Sequence, residues 1–88
     1  MKIKNNYELV ELGDERMLIP IGDEAQVLRG VVIINEETAF LVKTAREEKS
    51  IDELAKAMTG EYDVDMDTAI KDILKMKEKL DEMGITEK

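Results

Sequence analysis

Val27-Leu28-Arg29-Gly30-Val31-Val32-Ile33-Ile34-Asn35 is the most apolar run in this chain, and its reading decides the fold. Val27 to Ile34 is rich in β-branched residues and has the length of a strand, too short for a full helix. Asn35 opens a different pattern: Glu36-Glu37-Thr38, then Ala39, Leu41, Val42 and Ala45. Asparagine is a good helix N-cap, and two glutamates in the first turn suit the positive end of a helix dipole. The stretch is a strand running straight into a helix. The remaining segments are expected to pack around that joint.

Upstream, Tyr7 to Leu12 mixes polar and apolar residues as a strand does, and Gly13-Asp14 is a turn signal. Glu15 to Ile19 reads as a second strand stopped by Pro20, which cannot donate to a ladder. Ile21 to Gln26, with Gly22-Asp23, is a short loop. Three sequential strands with short links most simply form an antiparallel meander. Lys2 to Asn6 reads as a loose start.

Downstream, the first helix is expected from about Glu36 to Arg46. Ser50-Ile51-Asp52-Glu53 is a capping box, opening a second helix from about Ile51 to Met58 that Gly60 ends. Asp65 caps a third helix, about Met66 to Met83. On it Met66, Ala69, Ile70, Ile73, Leu74, Met76, Leu80 and Met83 span an arc of about 180°, wider than packing on one neighbour needs. Gly84 fits the left-handed position after a helix, with Ile85 as its apolar follower. Thr86-Glu87-Lys88 is expected to fray. The fold class is α+β: a three-stranded antiparallel sheet followed by three helices, in one domain of 88 residues ordered from about 6 to 85.

Composition narrows the chemistry. The chain has no cysteine and no histidine, which removes disulfides, thiolate metal sites and imidazole catalysis. No apolar run reaches the roughly 18 residues of a membrane span. The first residues are not followed by a signal-peptide core, and the cytoplasm is the default compartment. A net charge of −8 repels phosphate backbones and anionic membranes at long range, so neither nucleic acid nor membrane is expected as the main partner.

Asp63, Asp65 and Asp67 alternate as at the start of a calcium loop. Thr68 then stands where the sharp turn needs glycine, and Leu74 where the bidentate glutamate belongs. The acids are better read as a helix N-terminus, and no metal or cofactor is expected. No carboxylate pair stands in contrasting surroundings, and no glycine loop cradles phosphate. The chain is therefore not expected to be an enzyme. Lys71, Lys75 and Lys79 form a stripe opposite the apolar arc, either a solvated face or a cationic strip for an acidic partner. Lys77 falls inside the arc, so its stem lies along the core edge or lines a groove.

The third strand is the most informative element. In a meander it has one neighbour, and its other side offers unpaired amides and carbonyls. Soluble proteins usually blunt such edges with lysine, proline or a bulge. Val31 to Ile34 carries none of these, and Gly30 permits close backbone approach or a bulge. Helix three, a second copy of the chain or an extended peptide should cover it.

At these residues the sequence resembles the family of the pyrroloquinoline quinone synthesis protein D, the peptide-recognition element of ribosomal peptide maturation. The likeness runs from about Tyr7 to Ile85. It is carried by the three strands, Ile34-Asn35 followed by Glu-Glu-Thr-Ala, Ser50 to Ala55, Tyr62 to Asp65, Asp72-Ile73-Leu74, Leu80 and Gly84-Ile85. The resemblance implies a winged-helix-like domain that binds the leader segment of a precursor peptide. Such domains present the leader to a maturation enzyme, often a radical S-adenosylmethionine enzyme. It also implies strand addition along Leu28, Arg29, Gly30, Val31, Val32 and Ile33, against the Ile70, Lys71, Leu74 and Lys77 side of helix three. Lys77 stands where that family usually has an apolar residue. The rival readings are a winged-helix DNA binder and a homodimer that pairs its own third strands.

Overall fold

Alternate side chains of a strand point to opposite faces, and here one set from all three strands meets the helices. The computed structural model describes residues 1–21 and 30–87. Strands β1 (Tyr7–Leu12), β2 (Glu15–Pro20) and β3 (Val32–Ile34) form an antiparallel sheet in the order β1-β2-β3. Leu12 pairs with Glu15, so Gly13-Asp14 is a two-residue hairpin turn. In the register Leu9↔Leu18↔Val32, the fully buried Leu18 anchors the inner face. The opposite face carries the cross-strand row Val10↔Met17↔Ile33.

Helices α1 (Glu36–Thr44), α2 (Ile51–Glu61) and α3 (Met66–Glu82) follow. Each begins where an expected cap stands. Asn35 Oδ1 accepts from the Thr38 amide at 2.8 Å, and Asp65 Oδ1 from the Thr68 amide at 2.7 Å. Ser50 and Glu53 complete a reciprocal capping box at 3.1 and 3.0 Å. Substituting such caps by alanine typically costs about 1 kcal/mol. Leu41, Val42, Leu54, Met58, Ile73 and Leu80 close the core between sheet and helices, and α2 packs along α3.

The C-terminus of α3 is a Schellman turn. The Ile85 amide donates to the Leu80 carbonyl and the Gly84 amide to the Asp81 carbonyl, both at 3.0 Å. Gly84 has φ +73°, which a β-carbon would make costly, and Ile85 is buried behind it.

Three expectations are corrected. The third strand does not extend through Gly30 and Val31: Gly30 has φ +89°, which turns the chain, and pairing begins at Val32. Residues 27–29 of that expected strand, and the Ile21-to-Gln26 loop beyond Ile21, lie outside the described residues. Gly60 does not end α2. The helix runs one residue on to Glu61, and the Tyr62 amide still donates to the Met58 carbonyl at 2.8 Å. Tyr62 then packs edge-on against Phe40, with ring centroids 5.6 Å apart, which offsets the roughly 1 kcal/mol weakness of a helical glycine.

The ends are not loose. Ile3 is fully buried and forms an antiparallel bridge with Thr86, itself buried. The Ile3 amide donates to the Ala45 carbonyl at 2.8 Å and the Lys4 amide to the Ile85 carbonyl at 2.9 Å. A single apolar residue among lysines and asparagines gives no periodicity from which such docking could be read.

Candidate functional site

In the order β1-β2-β3 the inner strand is β2, and β3 is an edge. Its residues alternate. Val32 and Ile34 pack toward the core, while Ile33 stands 67% exposed beside Val31 at 49%. Among the described residues no strand covers the outer side of β3, so an apolar, β-branched edge with no charged side chain lies open.

A depression of about 170 Å³ runs beside this edge. Ile33 and Ile34 form one wall, Asn35 and Thr38 at the start of α1 close one end, and Met76, Lys79, Leu80 and Met83 of α3 form the other wall. The strand-to-helix joint at Asn35 therefore sets the site. The cap turns the chain from β3 into α1 and leaves the edge and α3 facing each other.

The geometry of α3 explains its over-wide apolar arc. At about 100° per residue, the buried Ala69, Ile73 and Leu80 make a central stripe, with one flank on each side. Met76, Lys79 and Met83 form the flank toward β3. Ile70, Leu74 and Lys77 lie on the flank across the stripe. Ile70 is half-buried against the core, Leu74 is 49% exposed and Lys71 is exposed further round. None of these four lines the depression beside β3.

Lys77 instead lines a separate hollow with Lys4, Asp81, Gly84, Thr86 and Glu87. Its Nζ donates to Asp81 Oδ2 at 2.7 Å. Thr86 Oγ1 donates to the other Asp81 oxygen. The Lys77 hydrogen bond, then that of Thr86, holds the Asp81 carboxyl below the usual carboxylate range. Lys77 is thus a neutralised, half-buried cation. Lys79 forms no ion pair among the described residues.

Other charged groups are similarly tied. Lys43 Nζ lies 2.6 Å from Glu11 Oε1, and Arg16 Nε lies 3.3 Å from Glu11 Oε2. The Lys43 hydrogen bond is the main reason the Glu11 carboxyl is held low. Asp65, the middle acid of the calcium-like run, is occupied by the Thr68 amide, which lowers its carboxyl too. Among the described residues no helix is long and apolar enough to cross a membrane.

This fold is shared with a solved leader-peptide complex. The structure "TbiB1 in Complex with the TbiA(beta) Leader Peptide" superposes with a TM-score of 0.77 at 22% identity, covering 99% of this chain and 95% of that one. No family model matches the sequence, and no curated protein matches it. At this identity the likeness to TbiB1 is a likeness of fold. The sheet, the three helices and their order are common to both chains.

Neither Met76 nor Met83 stood out in the sequence beyond its place in the wide arc, and Lys79 stood only in the lysine stripe. The width of the arc was the available signal. It shows that α3 has more apolar surface than one neighbour covers, without showing which flank turns toward β3.

Proposed function

We propose that this chain is a non-catalytic adaptor that captures the leader segment of a ribosomally made precursor peptide and presents it to a modifying enzyme. The bare β3 edge carries the proposal. An extended peptide adding there gains main-chain hydrogen bonds tolerant of sequence, while side-chain pockets beside the strand discriminate. The fold likeness to TbiB1, seen with a leader peptide, supports the same reading.

Magnitudes assign the parts their roles. Each net hydrogen bond contributes ~0.5–1.5 kcal/mol, and ordering a flexible peptide costs roughly 2–5 kcal/mol. With only a short strand to pair, apolar anchors must supply much of the affinity. Val31, Val32 and Ile33, after the turn at Gly30, offer the backbone edge. Leu28 and Arg29 belong to the same proposed surface but lie outside the described residues. Met76 and Met83 receive the anchors, over the buried Leu80. Ile70, Lys71, Leu74 and Lys77 are then left for a longer segment that wraps the helix, or for the modifying enzyme, of which a radical S-adenosylmethionine enzyme is one candidate class.

The test is amide hydrogen exchange with the leader of a precursor encoded beside this chain. The expected result is slowed exchange at residues 31–34 and at the Met76-to-Met83 flank. Binding that leaves residues 31–34 unchanged would overturn strand addition. A mass that doubles with concentration and falls when peptide is added would show two copies competing for the same edge.

A further inference from the structure

We infer that Lys79 selects precursor segments carrying a carboxylate side chain on the same face as their apolar anchors, an inference that rests on the peptide-docking reading above. Within the depression beside β3 the walls are apolar or neutral except at one point, Lys79. Lys77, in the hollow across α3, is committed to Asp81, whereas Lys79 has no ion-pair partner among the described residues. Its neighbours one turn away are Lys75, Met76, Glu82 and Met83. Lys75 raises the positive potential, and Glu82, exposed, does not pair with it.

An extended segment sets like-facing side chains about 6.6 Å apart, from its ~3.3 Å rise per residue. Along α3, Met76 and Lys79 are about 4.5 Å apart and Lys79 and Met83 about 6 Å, from the 1.5 Å helical rise. Consecutive like-facing positions of one short segment can therefore meet a methionine and then the lysine. The fitting ligand has Asp or Glu two residues from a large apolar side chain. The chain as a whole carries −8 and disfavours acidic ligands at long range. The preference is therefore local, and it sets which segment seats rather than how fast it arrives.

The experiment selects binders from a random linear peptide library displayed on phage, against the wild-type chain, Lys79→Gln, Lys79→Glu and Lys77→Gln. Lys79 and its variants lie on an exposed helix face, so folding is checked only by circular dichroism. The expected outcome is that wild type and Lys77→Gln enrich peptides with Asp or Glu two residues from Leu, Ile, Phe or Met, and Lys79→Glu enriches Lys or Arg there. For the best acidic peptide, replacing the acid by its amide should weaken binding ~3–10-fold on wild type and leave Lys79→Gln unchanged. Peptides that bind and protect residues 31–34 without acidic enrichment, or an amide effect that persists in Lys79→Gln, would remove Lys79 from recognition and leave the docking reading intact. A library that yields no binder protecting residues 31–34 would overturn the docking reading, and the role of Lys79 with it.

Discussion

Ile33 stands directly opposite Met17 on β2, and on its other side no strand of the described residues faces it. In an antiparallel ladder, adjacent residues alternate: one exchanges both backbone bonds with its neighbour, and the next directs its amide and carbonyl outward. Of Val32 and Ile33, one therefore holds the sheet and the other turns its amide and carbonyl outward, where the proposed peptide would pair. Proline deletes the amide. We expect one of Val32→Pro and Ile33→Pro to lose sheet structure by circular dichroism. The other should stay folded and lose peptide binding by anisotropy. A folded variant at each position that still binds would refute strand addition.

Two residues on the α3 wall of the depression separate affinity from stability. Leu80 is buried at 1% exposure, while Met83 on the rim is 39% exposed. Leu80→Ala should destabilise the chain by roughly 2–5 kcal/mol, read as a lowered urea midpoint. Met83→Ala should shift the midpoint little and weaken peptide binding several-fold. Equal binding by Met83→Ala and wild type would move the anchors elsewhere.

Capping residues and hydrophobic period carried most of this architecture into view. Asn35, Ser50 and Asp65 start their helices as their side chains dictate, and Gly84-Ile85 closes the last one. These are local effects, fixed within a few residues. The edge position of β3 followed from reading three sequential strands as a meander, which holds although β3 begins only at Val32. What the sequence hid depends on chain packing. The rotation of α3 about its axis decides whether Lys77 or Lys79 meets the β3 groove. Two residues apart, they stand about 200° apart round the helix, and periodicity separates their flanks without saying which flank turns toward β3. The extent of β3 was overread because a glycine in an apolar run fits a bulge within a strand as well as the turn that Gly30 makes.

Acid should loosen the chain through its paired carboxylates. Glu11, Glu53, Asp65 and Asp81 are all held below their ordinary values, Asp81 chiefly by the Lys77 hydrogen bond. For a group whose folded value is depressed, the stabilisation is complete above its unfolded value and is lost as pH falls through the folded one. Urea midpoints should be flat near neutrality and fall below about pH 5, where unfolded carboxyls begin to protonate. Asp81→Asn should lower the neutral midpoint slightly and make the acid decline shallower. An unchanged acid slope in that variant would show that the Lys77–Asp81–Thr86 contacts add nothing.

The bridge between Ile3 and Thr86 joins the two ends of the described chain beside α3. It is flanked by hydrogen bonds from the Ile3 amide to the Ala45 carbonyl and from the Glu87 amide to the Lys2 carbonyl, each 2.8 Å. A fully buried isoleucine in so small a core fills space that its neighbours cannot easily close. Ile3→Ala should therefore destabilise by roughly 2–5 kcal/mol, as core truncations do, although it lies in a segment whose sequence resembles a tail. Because this contact braces the end of α3, the variant should also speed exchange at the amides of Gly84 and Ile85 before global unfolding. The β3 residues proposed to meet the peptide lie on another element. Their exchange should rise only through the global loss of stability. Faster exchange confined to β3, with Gly84 and Ile85 unaffected, would mean that the first residues brace the sheet edge rather than the helix end.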